Sequence, residues 1–461
     1  MYLLLALYVP SLVYQGLFMG LLGLNYAIAG YGLGRRSLFR GGPFLTAAAF
    51  LSVVTVTLTW GNPAIASLVL GVVAILYLGA ALWLGWPWLF LAPLLTVHLL
   101  VFTLNDMAVV GGQALAWTLT VSYGVLGLVL LLGGFTLRRL GEVRWGWPVY
   151  LVCVLDLVGS YLAGLALGGS LAVSVSAVMA MVLLSFAWLE RAELERQKLP
   201  SVLTYAAIAA VFVGHFYVLN LFGLGVVDAW PPFSAALCAL FVLLAWLLRH
   251  EPWDNLYSLP LRWAGLTLIA IPVAASMAQA LFGAGPVPAV LTLAIAGLTY
   301  GADGTLRRVP WLVWLTVAIV FVGHFLALGT LGIGLEGPWP TVTAALCAAF
   351  VLLAWLLCGW PARDNLRGVG DLYSTPLRWA GLALMAIPLI GSTVQAFFGP
   401  GPLGAAITWA IAGLTYGVDG TLQRVPWLAW LTVAAVFVWH FFVQAAIGIR
   451  FGGIWPIVTA G

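Results

Sequence analysis

Ala296-Gly-Leu-Thr-Tyr-Gly-Ala-Asp-Gly-Thr-Leu306 returns 116 residues later as Ala412-Gly-Leu-Thr-Tyr-Gly-Val-Asp-Gly-Thr-Leu422. Upstream, Pro260-Leu-Arg-Trp-Ala-Gly-Leu266 returns at the same offset as Pro376-Leu-Arg-Trp-Ala-Gly-Leu382, and the two copies align without a gap from Pro260 to Ala344. An earlier partial copy sets Ala235 to Leu248 against Ala344 to Leu357, with Leu240 against Ala349 as the single difference. The offset there is 109, because a short insertion around Arg367 to Asp371 lengthens the later loop. A first, diverged copy is recognisable near Trp86 to Leu104. Periods of this length in an apolar chain mean repeated helical hairpins.

Composition sets the solvent. Of 461 residues, 64% are hydrophobic and 7% charged, whereas a soluble domain carries about a quarter charged residues. The chain therefore reads as an all-α integral membrane protein. Each copy divides into four apolar stretches, in the third copy Trp263 to Phe282, Ala289 to Leu306, Trp311 to Gly332 and Thr341 to Leu357. Their lengths suit a hydrocarbon core of roughly 30 Å crossed at about 1.5 Å per residue. Gly/Pro turns such as Phe282-Gly-Ala-Gly-Pro-Val-Pro288 separate them. An even number of spans per copy gives parallel repeats.

The expected organisation is about sixteen transmembrane helices: an orphan first helix (1–36), a diverged repeat (37–143), and repeats at 144–259, 260–375 and 376–461. The last copy stops at Ile454 to Gly461, where the others begin their fourth helix. Met1 to Gly34 lacks the leading positive charges and short apolar core of a signal peptide, and reads as a true span.

Charge supports this count. Arg35, Arg36, Arg40, Arg138, Arg139, Arg144, Arg191, Arg196, Lys198, Arg249, Arg307, Arg308, Arg363, Arg367 and Arg424 fall on one side, with Asp106, Asp228 and Glu336 on the other. Arg450 alone breaks the pattern. By the positive-inside rule the arginine side is cytoplasmic, so the N-terminus lies outside, in a plasma (cell inner) membrane. Trp311, Trp314, Trp427 and Trp430 on the arginine side, and Trp339 and Trp455 on the other, fit interfacial anchoring. The net charge of +4 gives no sign of a nucleic-acid partner. Cys153, Cys238, Cys347 and Cys358 fall in or at the end of apolar runs and form no disulfide framework or metal motif.

One histidine recurs per copy: His98, His215, His324 and His440, at separations of 117, 109 and 116. Each must find a hydrogen-bond partner, because an unpaired polar group in hydrocarbon costs several kcal/mol. A backbone carbonyl or a hydroxyl on the neighbouring helix is the expected partner. Axial ligation of a haem or chlorophyll-type pigment is the alternative, with Gly214 and Gly323 leaving room for a macrocycle, although Trp439 replaces the small neighbour beside His440. A proton relay is the third reading.

Asp156, in Val152-Cys-Val-Leu-Asp-Leu-Val158, lies mid-span and is a functional candidate by default, either protonated or paired with a hydroxyl such as that of Ser160 or Tyr161. Asp303 and Asp419 close the second helix of their copies and are expected to form helix-end ion pairs with Arg307 and Arg424. No loop carries a phosphate-binding glycine motif, a metal cluster or a Ser/His/Asp set.

The reading that follows is a non-enzymatic helical scaffold or accessory subunit, held in lipid beside other membrane subunits or copies of itself. A transporter or channel using Asp156 and the histidines, and a haem or pigment carrier, are the alternatives.

Overall fold

The computed structural model describes residues 11–34, 38–109, 112–191, 201–225, 230–250, 254–282, 285–334, 336–359, 364–399 and 401–448. Arg35, Arg36, Arg196, Lys198, Asp228, Arg363, Arg450 and Trp455 lie outside them, as does the stretch Ile454 to Gly461. The described residues are helical and contain no strand. In chain order the helices are α1 (Leu12–Gly34), α2 (Leu38–Thr59), α3 (Pro63–Leu84), α4 (Leu91–Ala108), α5 (Gly112–Arg139) and α6 (Val143–Leu167). They continue as α7 (Gly169–Leu189), α8 (Val202–Leu221), α9 (Trp230–Leu247), α10 (Leu259–Leu268), α11 (Ala270–Phe282) and α12 (Val287–Arg307). The last are α13 (Pro310–Thr330), α14 (Trp339–Gly359), α15 (Asp364–Leu384), α16 (Ala386–Phe398), α17 (Pro402–Gln423) and α18 (Pro426–Ala446).

Fifteen helical segments among the described residues are long and apolar enough to cross a membrane. The 22-residue helix α17 lies between two of them. The chain is thus a multi-pass, all-helical membrane protein. Its exposed side chains agree: Leu298 on α12 and Leu414 on α17 are 75% and 69% exposed, a surface that suits lipid and would drive association in water.

The helices group into two compact units, Met1–Leu183 with Val213–Leu221, and Leu184–Phe212 with Phe222–Gly461. Their border falls inside residues 144–259, the stretch expected as one repeat.

Within the second unit, equivalent residues build the same local structure. Pro272 and Pro388 lack an amide hydrogen and crowd the carbonyl four residues earlier. The first apolar stretch of the third and fourth copies is accordingly interrupted for one residue, at Ile269 and at Met385, both fully buried, while each remains a single spanning segment as expected. The turns into α13 and α18 also match. Arg308 and Arg424 take left-handed φ values of 55° and 53°. The next amides, of Val309 and Val425, bond to the carbonyls of Gly304 and Gly420 at 2.9 and 3.0 Å. These bonds close the helix end with the left-handed residue as its cap. Pro310 and Pro426 then open the next helix, where their missing amide costs nothing.

Close approach of helices relies on glycine. A Cβ on Gly265 would meet the Cys238 carbonyl oxygen at 2.7 Å, and one on Gly381 the Cys347 carbonyl oxygen at 2.6 Å. Around the second contact, Val317, Phe321, Phe350, Val351, Met385 and Tyr416 form a buried apolar core.

Candidate functional site

Among the described residues of the second unit, buried charge is concentrated in two ion pairs. Arg262 on α10 donates from Nε to both carboxylate oxygens of Asp303 at 2.9 Å, and from Nη2 to Oδ2 at 2.7 Å. Arg378 on α15 donates from Nε to Asp419 Oδ1 and Oδ2 at 2.9 and 3.0 Å. Arg378 Nη2 lies 2.9 Å from Oδ2 but outside hydrogen-bond geometry, so only the Arg262 pair is a full two-nitrogen fork. In both copies the partners are 41 residues apart. A planar guanidinium offers two parallel donors to a planar carboxylate, which is the geometry needed where neither charge meets water.

These pairs correct the expected helix-end pairing of Asp303 with Arg307 and of Asp419 with Arg424. Asp303 and Asp419 are buried and each engages an arginine from a neighbouring helix, whereas Arg307 and Arg424 are exposed. Arg307 sits in the last turn of α12, where a cation complements the carbonyl end of the helix dipole, and Arg424 occupies the left-handed cap. Each pair is backed by a tyrosine on the carboxylate's own helix: Tyr300 donates to the Leu266 carbonyl at 2.8 Å and Tyr416 to the Leu382 carbonyl at 3.1 Å. The copies differ in one respect. Trp355 on α14 donates its indole N–H to Asp419 Oδ1 at 2.9 Å, whereas the equivalent Trp246 on α9 lies against Arg249, 4.7 Å from guanidinium to ring centroid.

The first unit holds a different couple. His98 on α4 places Nδ1 2.6 Å from the Leu94 carbonyl oxygen and Nε2 2.6 Å from Asp156 Oδ1 on α6. A carbonyl only accepts, so Nδ1 carries a proton. The second contact then needs one proton on either Nε2 or the carboxyl, giving imidazolium–carboxylate or imidazole–carboxylic acid, each with zero net charge. The pairing replaces the expected partners of Asp156: Ser160 donates instead to the Thr120 carbonyl at 2.7 Å. Tyr123 on α5 stacks on the imidazole at 5.7 Å and donates to the His98 carbonyl at 3.2 Å. Asp156 Oδ2 is buried without a hydrogen-bond partner.

No protein-family model matches the chain, and neither does any curated protein or solved structure. What the site does is therefore argued from its geometry.

The remaining histidines differ from His98 and from one another. His324 Nε2 is 3.1 Å from the Thr343 hydroxyl on α14, the kind of neighbouring-helix hydroxyl expected. His440 Nε2 is 2.6 Å from the side-chain amide of Gln444, one turn along α18. His215 is half-buried, its ring edge-on to Phe216. A Cβ added at Gly214 would meet Ser176 Cβ at 2.6 Å, so this glycine serves close helix contact. Both ring nitrogens of His98 are engaged, so ligating an iron there means breaking one of its hydrogen bonds. Among the described residues no three of His, Cys, Asp and Glu converge as metal ligands.

Reading the sequence singled out His98, Asp156, Asp303 and Asp419 but missed Arg262 and Arg378. Their signal was present: an arginine in an apolar stretch, recurring at the same 116-residue offset as the aspartate it neutralises.

Proposed function

We propose that the chain is a non-enzymatic, repeat-built membrane scaffold, an accessory subunit that presents stacked helical units to other membrane subunits or to copies of itself. On this reading α17 also spans, giving sixteen spans in parallel four-helix repeats with the arginine-bearing ends in the cytoplasm. The observation that carries it is the neutralisation of buried charge among the described residues of the second unit: Asp303 and Asp419 are each paired with an arginine from a neighbouring helix. Such pairs specify how helices meet while presenting no open charge to a solute. The buried hydroxyls of Thr292 and Thr299 likewise return to carbonyls of their own helices. Purification of the full chain in mild detergent, with its mass measured by light scattering and co-purifying proteins identified, tests the proposal. A stoichiometric partner or a defined oligomer supports it. A lone monomer that moves ions or solutes in proteoliposomes overturns it.

A second reading has its own observation, the partnerless Oδ2 of Asp156 beside His98. A carboxylate that shares a proton with imidazole while keeping one oxygen open is a site for loading and releasing a proton, the core of proton-coupled transport. Proton flux into liposomes that is lost in Asp156→Asn would place this reading first.

A further inference from the structure

The second unit contains a groove of about 630 Å³ between α9 and α12. Its walls are Leu240, Leu243 and Trp246 on α9 and Leu298 and Ala302 on α12, with the closed Arg262–Asp303 pair as the polar part of its lining and Arg307 as a second, exposed cation. We infer that this groove binds an anionic phospholipid, with an acyl chain along the leucines and the phosphate on Arg307.

The chemistry selects an amphiphile. Leu240, Leu243 and Leu298 are exposed, so the groove opens along the apolar sides of the helices, from which an acyl chain enters. Arg262 is satisfied by Asp303, but Arg307 has no carboxylate partner among the described residues. It sits in the last turn of α12, where an apolar span ends and headgroups lie. A cation beside an apolar slot at that position complements a phosphate carried on a lipid tail, and basic pockets between transmembrane helices recognise such headgroups.

The fourth copy supplies an internal comparison. There Gln423 stands in place of Arg307 and Val418 in place of Ala302. Trp355 donates to Asp419, so the indole is committed to the ion pair. The cation is missing and the floor is bulkier at this position. Leu240 against Ala349 changes in the opposite sense, but further along the groove from the ion pair.

The test is native mass spectrometry of the full chain in mild detergent, titrated with phosphatidylglycerol or with phosphatidylcholine of the same acyl chains. The expected result is a phosphatidylglycerol adduct tighter than the phosphatidylcholine one. Arg307→Gln should weaken it about fivefold, the effect of roughly one basic residue near a lipid headgroup. Ala302→Val, which copies the residue of the fourth copy, should reduce occupancy by both lipids, and Arg424→Gln should leave binding unchanged. Equal binding of the two lipids, an Arg307→Gln variant indistinguishable from the parent, or equal losses in Arg307→Gln and Arg424→Gln would each overturn the proposal. Displacement of the lipid by millimolar inorganic phosphate would overturn it in favour of a free-anion site. Arg307 is exposed, so its replacement does not disturb the buried pair, and an unchanged elution volume confirms the fold.

Discussion

Arg262 and Asp303 are 41 residues apart in the chain and joined by three hydrogen bonds of 2.7 to 2.9 Å, with both residues buried. Removing one partner of such a pair strands a charge in a low-dielectric interior, whereas replacing both with apolar groups of similar volume removes the desolvation penalty as well. Asp303→Ala should therefore destabilise the fold by about 3–5 kcal/mol, and the double change Arg262→Met with Asp303→Leu should restore most of that loss. Unfolding in mixed detergent, followed by circular dichroism, measures both. A double variant as unstable as Asp303→Ala would show that the pair adds stability beyond neutralising its own charges.

The indole of Trp355 distinguishes the two copies. It gives Asp419 a donor besides Arg378, and a hydrogen bond to a charged group contributes about 1.5–3 kcal/mol. Trp355→Phe should lower stability by that order, and Trp246→Phe by clearly less, because Trp246 makes no such bond. Tested in an Arg378→Met/Asp419→Leu background, the Trp355→Phe effect should shrink to the loss of ring packing. Equal effects of Trp355→Phe and Trp246→Phe would mean that packing, not the bond, sets the cost.

At His98 the hydrogen bonds form a chain: the Leu94 carbonyl, the imidazole and the carboxyl of Asp156. Either single truncation leaves a buried group unpaired, at a cost of about 1–3 kcal/mol. The double variant His98→Ala/Asp156→Ala should then be less damaging than the sum of the singles. The infrared carboxyl band assigned to Asp156 by its loss in Asp156→Asn should also shift in His98→Gln, since the shared proton loses its partner. An unshifted band would separate the two residues.

Much of the architecture is legible because lipid imposes a simple grammar: apolar stretches of spanning length with Gly/Pro turns between them. The interruption at Ile269 is legible too, since Pro272 sits where a helix cannot keep its hydrogen bond. The site was legible only by its members. His98 and Asp156 each stand out, but they lie 58 residues apart on different helices, and spacing along one helix offers Asp156 only neighbours such as Ser160. Asp303 likewise has Arg307 four residues on, but a buried carboxylate needs the fork that only another helix brings. Local spacing describes the face of one helix and says little of what the next helix places against it.

Glycine supplies a sharper test of how closely the helices meet. Gly265 and Gly381 are equivalent, and a Cβ on either would press on a backbone carbonyl oxygen at 2.7 or 2.6 Å. A carbonyl inside a helix cannot swing aside without its helix moving. Gly265→Ala and Gly381→Ala should therefore cost about 1–3 kcal/mol each, the usual penalty of overpacking. Gly323, beside His324, differs: its nearest neighbour would be Leu293 Cβ at 3.7 Å, an ordinary contact. Alanine is favoured over glycine within a helix by up to about 1 kcal/mol, so Gly323→Ala should be neutral or stabilising. Thermal unfolding of the three variants in one detergent ranks them. If Gly265→Ala and Gly323→Ala behaved alike, α10 would not approach the Cys238 carbonyl as closely as the structure places it.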